Sequence, residues 1–427
     1  MNRLFRIFNP QCTPERILVL SWLTYMLAYL LRTNIAAVIP ALMTARQLSY
    51  AQMGVITSLF FFAYMFGQLL SGWLGDRYNG KLQIIGGLAV SSLCNVGMVL
   101  ASNAVSLSLI WAINGLAQAF LWAPLMKILS NWFSACQLER VSFIMSLSLI
   151  VGNAVSWSFS TAIASLQIWP AAFWVPALLV GLFLLVLIPT FRSTGKLAYH
   201  VYLKIPAQTS NNQRAVEAVQ PIRLAKADSP NILVIARLIG LPGLMLIAIA
   251  QGVIREGINI WFPSILGSTT SFSYRSPWFI LAIAPIFNLG GIILVRKINH
   301  HYKGDTMSTL LLTIVLVTTA AIILNLLLPQ WSSMILTVTL LLLCLTNGLT
   351  PILTSVIPFK YIHLNCVSLL VGILDFAIYV GAAVSAFFSG LIADKYSWNG
   401  LMLLWLASSI MGLIFTIHRK IKFSGRT

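Results

Sequence analysis

Two arginines carry the chemistry of this sequence. RTNIAAVIP (residues 32–40) and REGINIWFP (255–263) each open on Arg, place Ile three residues on and Pro eight residues on, and sit inside otherwise apolar runs. A guanidinium keeps its proton at any physiological pH. Its planar fork of N–H donors matches a carboxylate or phosphate two bonds at a time. Arg32 and Arg255 therefore predict an anion site, against the plainer use of each in a structural ion pair.

Helical spacing recruits other polar side chains to the same faces. Tyr25, Tyr29 and Arg32 stand at i, i+4 and i+7; Gln251, Arg255 and Asn259 at i, i+4 and i+8; and Asn114, Gln118 and Trp122 likewise. Tyr64 aligns with Gln68, and Asp375 with Tyr379. Polar stripes on apolar helices turn inward, as interhelical glue or as the wall of a cavity. Two arginine-centred stripes at corresponding places predict the cavity. Of the nine acidic residues only Glu256 and Asp375 fall within apolar runs, where an ionised group is costly and calls for a reason. Glu256 adjoins Arg255 and so projects about 100° away around the helix, which predicts a poor direct partner. Asp375 is the better candidate to pair with Arg255 in the empty site and then to tune its charge or carry a proton. Lys127 lies nearer a helix end, where it is expected to snorkel or to hold a neighbouring loop.

The elements that must position these residues are membrane helices. Of 427 residues, 59% are hydrophobic and 8% charged, against roughly 25% charged in a soluble domain. Apolar runs of about 20 residues recur along the chain, each long enough to span a bilayer as a helix. Twelve spans are expected: 16–43, 51–74, 82–101, 105–133, 140–165, 169–191, 241–268, 276–298, 306–328, 333–359, 365–393 and 399–418. The expected organisation is an N-terminal six-helix bundle (1–191), a polar basic cytoplasmic linker (192–235) and a C-terminal six-helix bundle (236–427).

The net charge of +18 does not mark a nucleic-acid binder. With the N-terminus inside, 21 of the 27 Lys and Arg residues fall on the cytoplasmic side and three (Arg46, Arg275, Lys395) outside, the bias that orients membrane proteins. Both termini are expected in the cytoplasm, in a bacterial inner membrane, with no cleaved leader. The five cysteines and five histidines show no metal-ligand spacing. No cofactor is expected, and no nucleotide-binding glycine motif or nucleophile–base set suggests an enzyme.

The halves echo each other. Besides the arginine stretches, NGL recurs at 114–116 and 347–349, and FSTAIASLQIW (159–169) matches FSGLIADKYSW (388–398) at Phe, Ser, Ile, Ala and Trp. These pair span one with seven, four with ten and five with eleven. Parallel six-helix repeats with a central site are the plan of the major facilitator fold. The loop GWLGDRYNGK (Gly72, Asp76, Arg77, Gly80, Lys81) resembles that superfamily's signature loop, with one extra residue after Asp-Arg, and is expected to act as a gating latch.

YMLAYLLRTNIAAVIPAL (25–42), NGLAQAFLWAPLMKILSNWF (114–133) and VIREGINIWFPSIL (253–266) resemble the organophosphate:phosphate antiporters, the glycerol-3-phosphate and hexose-6-phosphate carriers and their relatives. The resemblance implies that Arg32 and Arg255 form the phosphate-binding pair and that Tyr25, Tyr29, Tyr64 and Trp122 line the cavity. It departs at Gln68, where these carriers commonly have lysine, and at Leu149, where the glycerol-3-phosphate carrier has histidine. Glu256 and Asp375 add acid to a site the family keeps basic. The implied function is exchange of an organophosphate for inorganic phosphate by a monomer in the bilayer, two buried positive charges opposing closure until an anion binds. The alternatives are a proton-coupled organic anion symporter and a non-transporting sensor of a phosphorylated ligand.

Overall fold

The computed structural model describes residues 13–77, 80–130, 132–133, 135–202, 240–269, 277–326, 332–360 and 367–423, and every regular element among them is helical. Eleven of the described helices are long and apolar enough to cross a membrane, from Pro14–Arg46 to Trp398–Lys422. The remaining expected span, at 276–298, is the helix Pro277–His301. The protein is an all-α integral membrane protein of twelve spans in two pseudo-symmetric six-helix bundles. The sixth span stays helical to Tyr202, beyond the expected boundary at 191. Most of the expected linker, from residue 203 on, lies outside the described residues.

Helix starts follow local chemistry. Thr13 caps the first helix through its hydroxyl, with Pro14 in the first turn, where a missing N–H is harmless. Ser49 and Gln52 form a reciprocal capping box at the start of span two, at 3.0 and 3.2 Å. The last two spans share one run of helical residues, Val367–Phe423. That run is not one straight rod, which would be about 86 Å long at 1.5 Å per residue. Gly381 packs against Ile249 while Gly412 packs against Ala250, so the chain doubles back between them.

The NGL echo marks equivalent crossings in the two bundles. Gly115 lies against the backbone of Phe60, joining spans four and two, and Gly348 lies against Gly291, joining spans ten and eight. A methyl group at either position would collide with backbone, so only glycine lets the helices approach so closely.

The halves also meet at the end of the bundle remote from the chain termini. There Gly54 faces the backbone of Ala386 and Gly390, and Ser58 Oγ donates to Ala383 O at 2.9 Å. The Asp394 carboxylate accepts from Tyr50 N (2.9 Å) and Ala51 N (2.7 Å), capping span two from span eleven. Tyr50, Trp261 and Trp398 gather beside it, with ring centroids 5.3–6.0 Å apart.

Candidate functional site

Span one is not continuous. Its helix stops at Leu30 and restarts at Asn34, with Arg32 in the break. A broken helix frees carbonyls that lipid cannot satisfy, and here amide side chains from spans three and four take them. Asn95 Nδ2 and Asn114 Nδ2 donate to Leu31 O at 2.9 and 3.0 Å, and Gln118 Nε2 donates to Ala28 O at 3.0 Å. Ser91 ties the grip together, donating to Asn114 Oδ1 and accepting from Gln118 Nε2. Asn34 closes the network on Asn95 Oδ1 and Ala172 O. Arg32 thus projects from a backbone held on both sides.

Arg32 is 8% exposed and its guanidinium sits among aromatic rings. Its carbon lies 4.5 Å from the Tyr64 centroid and 5.5–5.7 Å from those of Tyr29, Phe60 and Tyr379. Its hydrogen bond is to Tyr379 Oη, at 3.3 Å. Among the described residues no carboxylate is within ion-pair distance of it. Ring contacts contribute about 0.5–2 kcal/mol each, whereas taking an ion out of water costs several kcal/mol. The cage holds the charge without cancelling it.

Arg255 has the same exposure and a different environment. Span seven is helical without interruption from Leu241 to Thr269. Arg255 Nε donates to Glu256 Oε1 at 2.8 Å, Nη2 lies 2.6 Å from the same oxygen, and Nη1 donates to Thr350 Oγ1 at 2.9 Å. This corrects two expectations. Glu256 is the direct partner of Arg255, because a long arginine side chain folds back across 100° of helix surface when the alternative is an unpaired charge in a dry interior. Asp375 is accordingly not the partner of Arg255. It makes no ion pair or hydrogen bond among the described residues, and it lines the central cavity.

That cavity, of about 370 Å³, lies between the bundles and is lined by spans one, two, four and five of one half and seven, eight, ten and eleven of the other. The two sets correspond under the repeat. Tyr25, Tyr29, Arg32, Tyr64, Gln68 and Trp122 reach it from the first half, and Arg255, Glu256, Asn259, Asp375 and Tyr379 from the second. Tyr25 packs on Trp122 at 4.6 Å and on Tyr29 at 5.6 Å, and Gln68 Nε2 donates to Tyr64 Oη at 2.8 Å.

Two expected wall residues do not reach it. Gln118 is spent on the span-one grip: helix ends at Ala119 and resumes at Trp122, so Gln118 and Trp122 do not keep one face. Gln251 is buried behind the wall, donating to Thr346 O (2.8 Å) and Thr350 Oγ1 (2.9 Å), and so orients the hydroxyl that meets Arg255. Phe60 and Thr350 were missed by the sequence reading. Asn347, Thr350 and Thr354, at i, i+3 and i+7 in span ten, form a polar stripe that could have revealed the second.

In the signature loop, Gly80 packs on Pro124 and Lys81 Nζ donates to Phe191 O at 2.9 Å. The helix of span two extends to Arg77, while the side chains of Asp76 and Arg77 and the placement of Gly72 in its surroundings lie outside what is described.

Residues 21–365 match the family model of the Major Facilitator Superfamily. The chain belongs to that superfamily. Across nearly its whole length this member of the Major Facilitator Superfamily is 22% identical to the glycerol-3-phosphate transporter of Bacillus subtilis, over 401 residues covering 91% of this chain and 88% of that protein. It is 28% identical to the hexuronate transporter of the same organism over 166 residues, 39% of each chain. The chain spans less than half the length of the first curated relatives it matches. Its fold is that of an inward-facing, occupied bacterial homolog of the human lysosomal transporter Spinster, with a TM-score of 0.71 and 15% identity, covering 96% of this chain and 97% of that one. The resemblance to organophosphate carriers read from the sequence is thus matched over almost the entire chain.

Proposed function

We propose that this protein carries an organic anion across the membrane by alternating access, with Arg32 as the anion anchor. The observation that carries the reading is the unequal state of the two arginines: Arg255 is closed by Glu256 and Thr350, whereas Arg32 faces the cavity without a contacting carboxylate. A glycerol phosphate and a hexuronate, named for two relatives, share an anionic head and a hydroxylated body. The orientation we propose has both termini in the cytoplasm of a bacterial inner membrane, one bundle on each side of 192–235.

Charge balance supports proton coupling. The carboxylates and guanidiniums on the wall are Glu256, Asp375, Arg32 and Arg255, two of each sign. The empty cavity is neutral with all four ionised, and a bound monoanion restores neutrality if Asp375 takes one proton. A dianion would leave excess negative charge in a low-dielectric site. We therefore infer one-to-one symport of a monoanion with a proton. Exchange of an organophosphate for inorganic phosphate is the second reading, supported by the full-length similarity to the glycerol-3-phosphate transporter.

Liposomes containing only this protein distinguish them. Symport predicts uptake of labelled anion driven by an acidic exterior, with no phosphate inside and no response to a membrane potential. Uptake that requires internal phosphate would establish exchange. Absence of any flux, with ligand binding intact, would return the protein to the sensor class.

A further inference from the structure

The two walls of the cavity are chemically unlike, and the difference describes a ligand. The wall from the first bundle is aromatic around its one arginine: Tyr25, Tyr64, Trp111, Trp122 and Trp157 all line it. The wall from the second bundle has one ring, Tyr379, and beside its charged residues carries five amides and hydroxyls: Asn259, Asn288, Asn347, Thr350 and Thr354. Aromatic faces pack against the C–H faces of a saturated ring as well as against apolar groups. Amides and hydroxyls both donate and accept, which suits a ligand bearing several hydroxyl groups.

Hydrogen-bonding capacity is unused on both walls. Asn259 Oδ1, Asn153 Oδ1 and Trp157 Nε1 all belong to lining residues, and each is buried with no hydrogen-bond partner among the described residues. Asn259 Nδ2 only grazes Glu256 Oε2, at 3.5 Å. Buried polar atoms left in this condition are costly unless a partner arrives. Asn347 and Asn288 hold each other at 3.0 Å, Asn347 Nδ2 donating to Asn288 Oδ1, which fixes a paired amide edge on that wall.

Size and charge narrow the class. A cavity of about 370 Å³ lies at the small end of ligand sites, which run from about 300 to 1,000 Å³, and fits a single ring rather than a nucleotide or a disaccharide. Arg32 offers one positive charge with no carboxylate in contact, while on the facing wall Arg255 is spent on Glu256 and the Asp375 carboxylate has no partner among the described residues. A second negative charge on the ligand would meet Asp375 and find no free cation.

We propose that the ligand is a polyhydroxylated monocarboxylate of sugar-acid type, its carboxylate on Arg32, its ring face on the aromatic wall and its hydroxyls on the Asn259, Asn288, Asn347 and Thr350 wall. This deepens the organic-anion reading above and rests on it.

The test is equilibrium binding to the purified protein, read by calorimetry and independent of transport. The panel is glucuronate, glucose, cyclohexanecarboxylate and glucose 6-phosphate at pH 7.5, where the last is largely a dianion. Glucuronate is expected to bind at least 10-fold tighter than each of the other three. Asn259→Ala is expected to weaken glucuronate about 10-fold and cyclohexanecarboxylate less than 2-fold, a split that a general loss of folding would not give. Cyclohexanecarboxylate equal to glucuronate would overturn the hydroxyl wall. Tighter binding of glucose 6-phosphate, still abolished by Arg32→Lys, would overturn the single-charge class while leaving the organic-anion reading intact. Binding of no panel anion, or binding indifferent to Arg32→Lys, would overturn both.

Discussion

Arg32 and Arg255 come from one repeated stretch, are equally buried, and are in opposite electrical states. Arg32 sits at a break in its helix, held by amides from spans three and four, with rings around its charge. Arg255 rides an unbroken helix and is matched by the residue beside it. The repeat preserves the position of a charge but not its availability. On the reading proposed above, one half supplies the anchor and the other a polar surface, with its own cation already paired, against which the rest of a ligand is recognised.

The largest effect that could break this comparison is at Arg32. Arg32→Lys keeps the charge but loses the fork, and two hydrogen bonds to a charged group contribute about 1.5–3 kcal/mol each. Anion affinity is expected to fall on the order of 100-fold, with the melting temperature little changed. Arg255→Lys should cost about 10-fold or less, since lysine still pairs with Glu256. Equal losses in the two variants, measured by binding, would show that both arginines contact the ligand.

Glu256→Gln would test the asymmetry from the other side. It releases a second positive charge into the cavity; at about 7 Å and an effective dielectric constant near 20, one unit charge is worth about 2 kcal/mol. Preference for glucose 6-phosphate over glucuronate should rise on the order of 10-fold. A lower melting temperature should accompany it, because half of a buried ion pair is left uncompensated.

Asp375→Asn should abolish uptake driven by a pH gradient while sparing exchange of labelled for unlabelled anion at equal pH. Persistence of pH-driven accumulation would remove Asp375 from coupling. The smallest effect is expected behind Arg32. Gln118→Ala removes one of two hydrogen bonds to the Ala28 carbonyl, which keeps Leu31 N, a loss of about 0.5–1.5 kcal/mol, and should raise the dissociation constant about 3- to 10-fold by loosening the break.

Much of this arrangement was legible in the residues. Twelve apolar runs long enough to cross a bilayer leave little choice of fold, and an arginine within one has few uses besides an anion or an acid. The repeated NGL falls at equivalent close crossings in the two bundles, because backbone contact at Gly115 and Gly348 tolerates no side chain. What spacing could not convey was rotamer and continuity. Arg255 and Glu256 are adjacent, and adjacency says nothing of how a long side chain folds back. Gln118 and Trp122 share a helical face on paper, but the break after Ala119 turns one of them away. Span one shows why such a break was invisible: Leu31 and Thr33 are ordinary helix residues, and the groups that stabilise the opened turn lie 60 to 90 residues downstream.

The Asp394 cap on the start of span two has a consequence for kinetics. To open that end, a carboxylate must leave two backbone N–H groups and the Tyr50–Trp261–Trp398 cluster must part, whether or not a ligand is aboard. Under the alternating access proposed above, these contacts favour that end shut in the unloaded protein. Such a bias leaves the final concentration ratio untouched, since it enters loading and unloading alike. It does make half-saturation differ between the two faces, so that the same molecule, reconstituted in opposite orientations, gives two apparent affinities and one equilibrium.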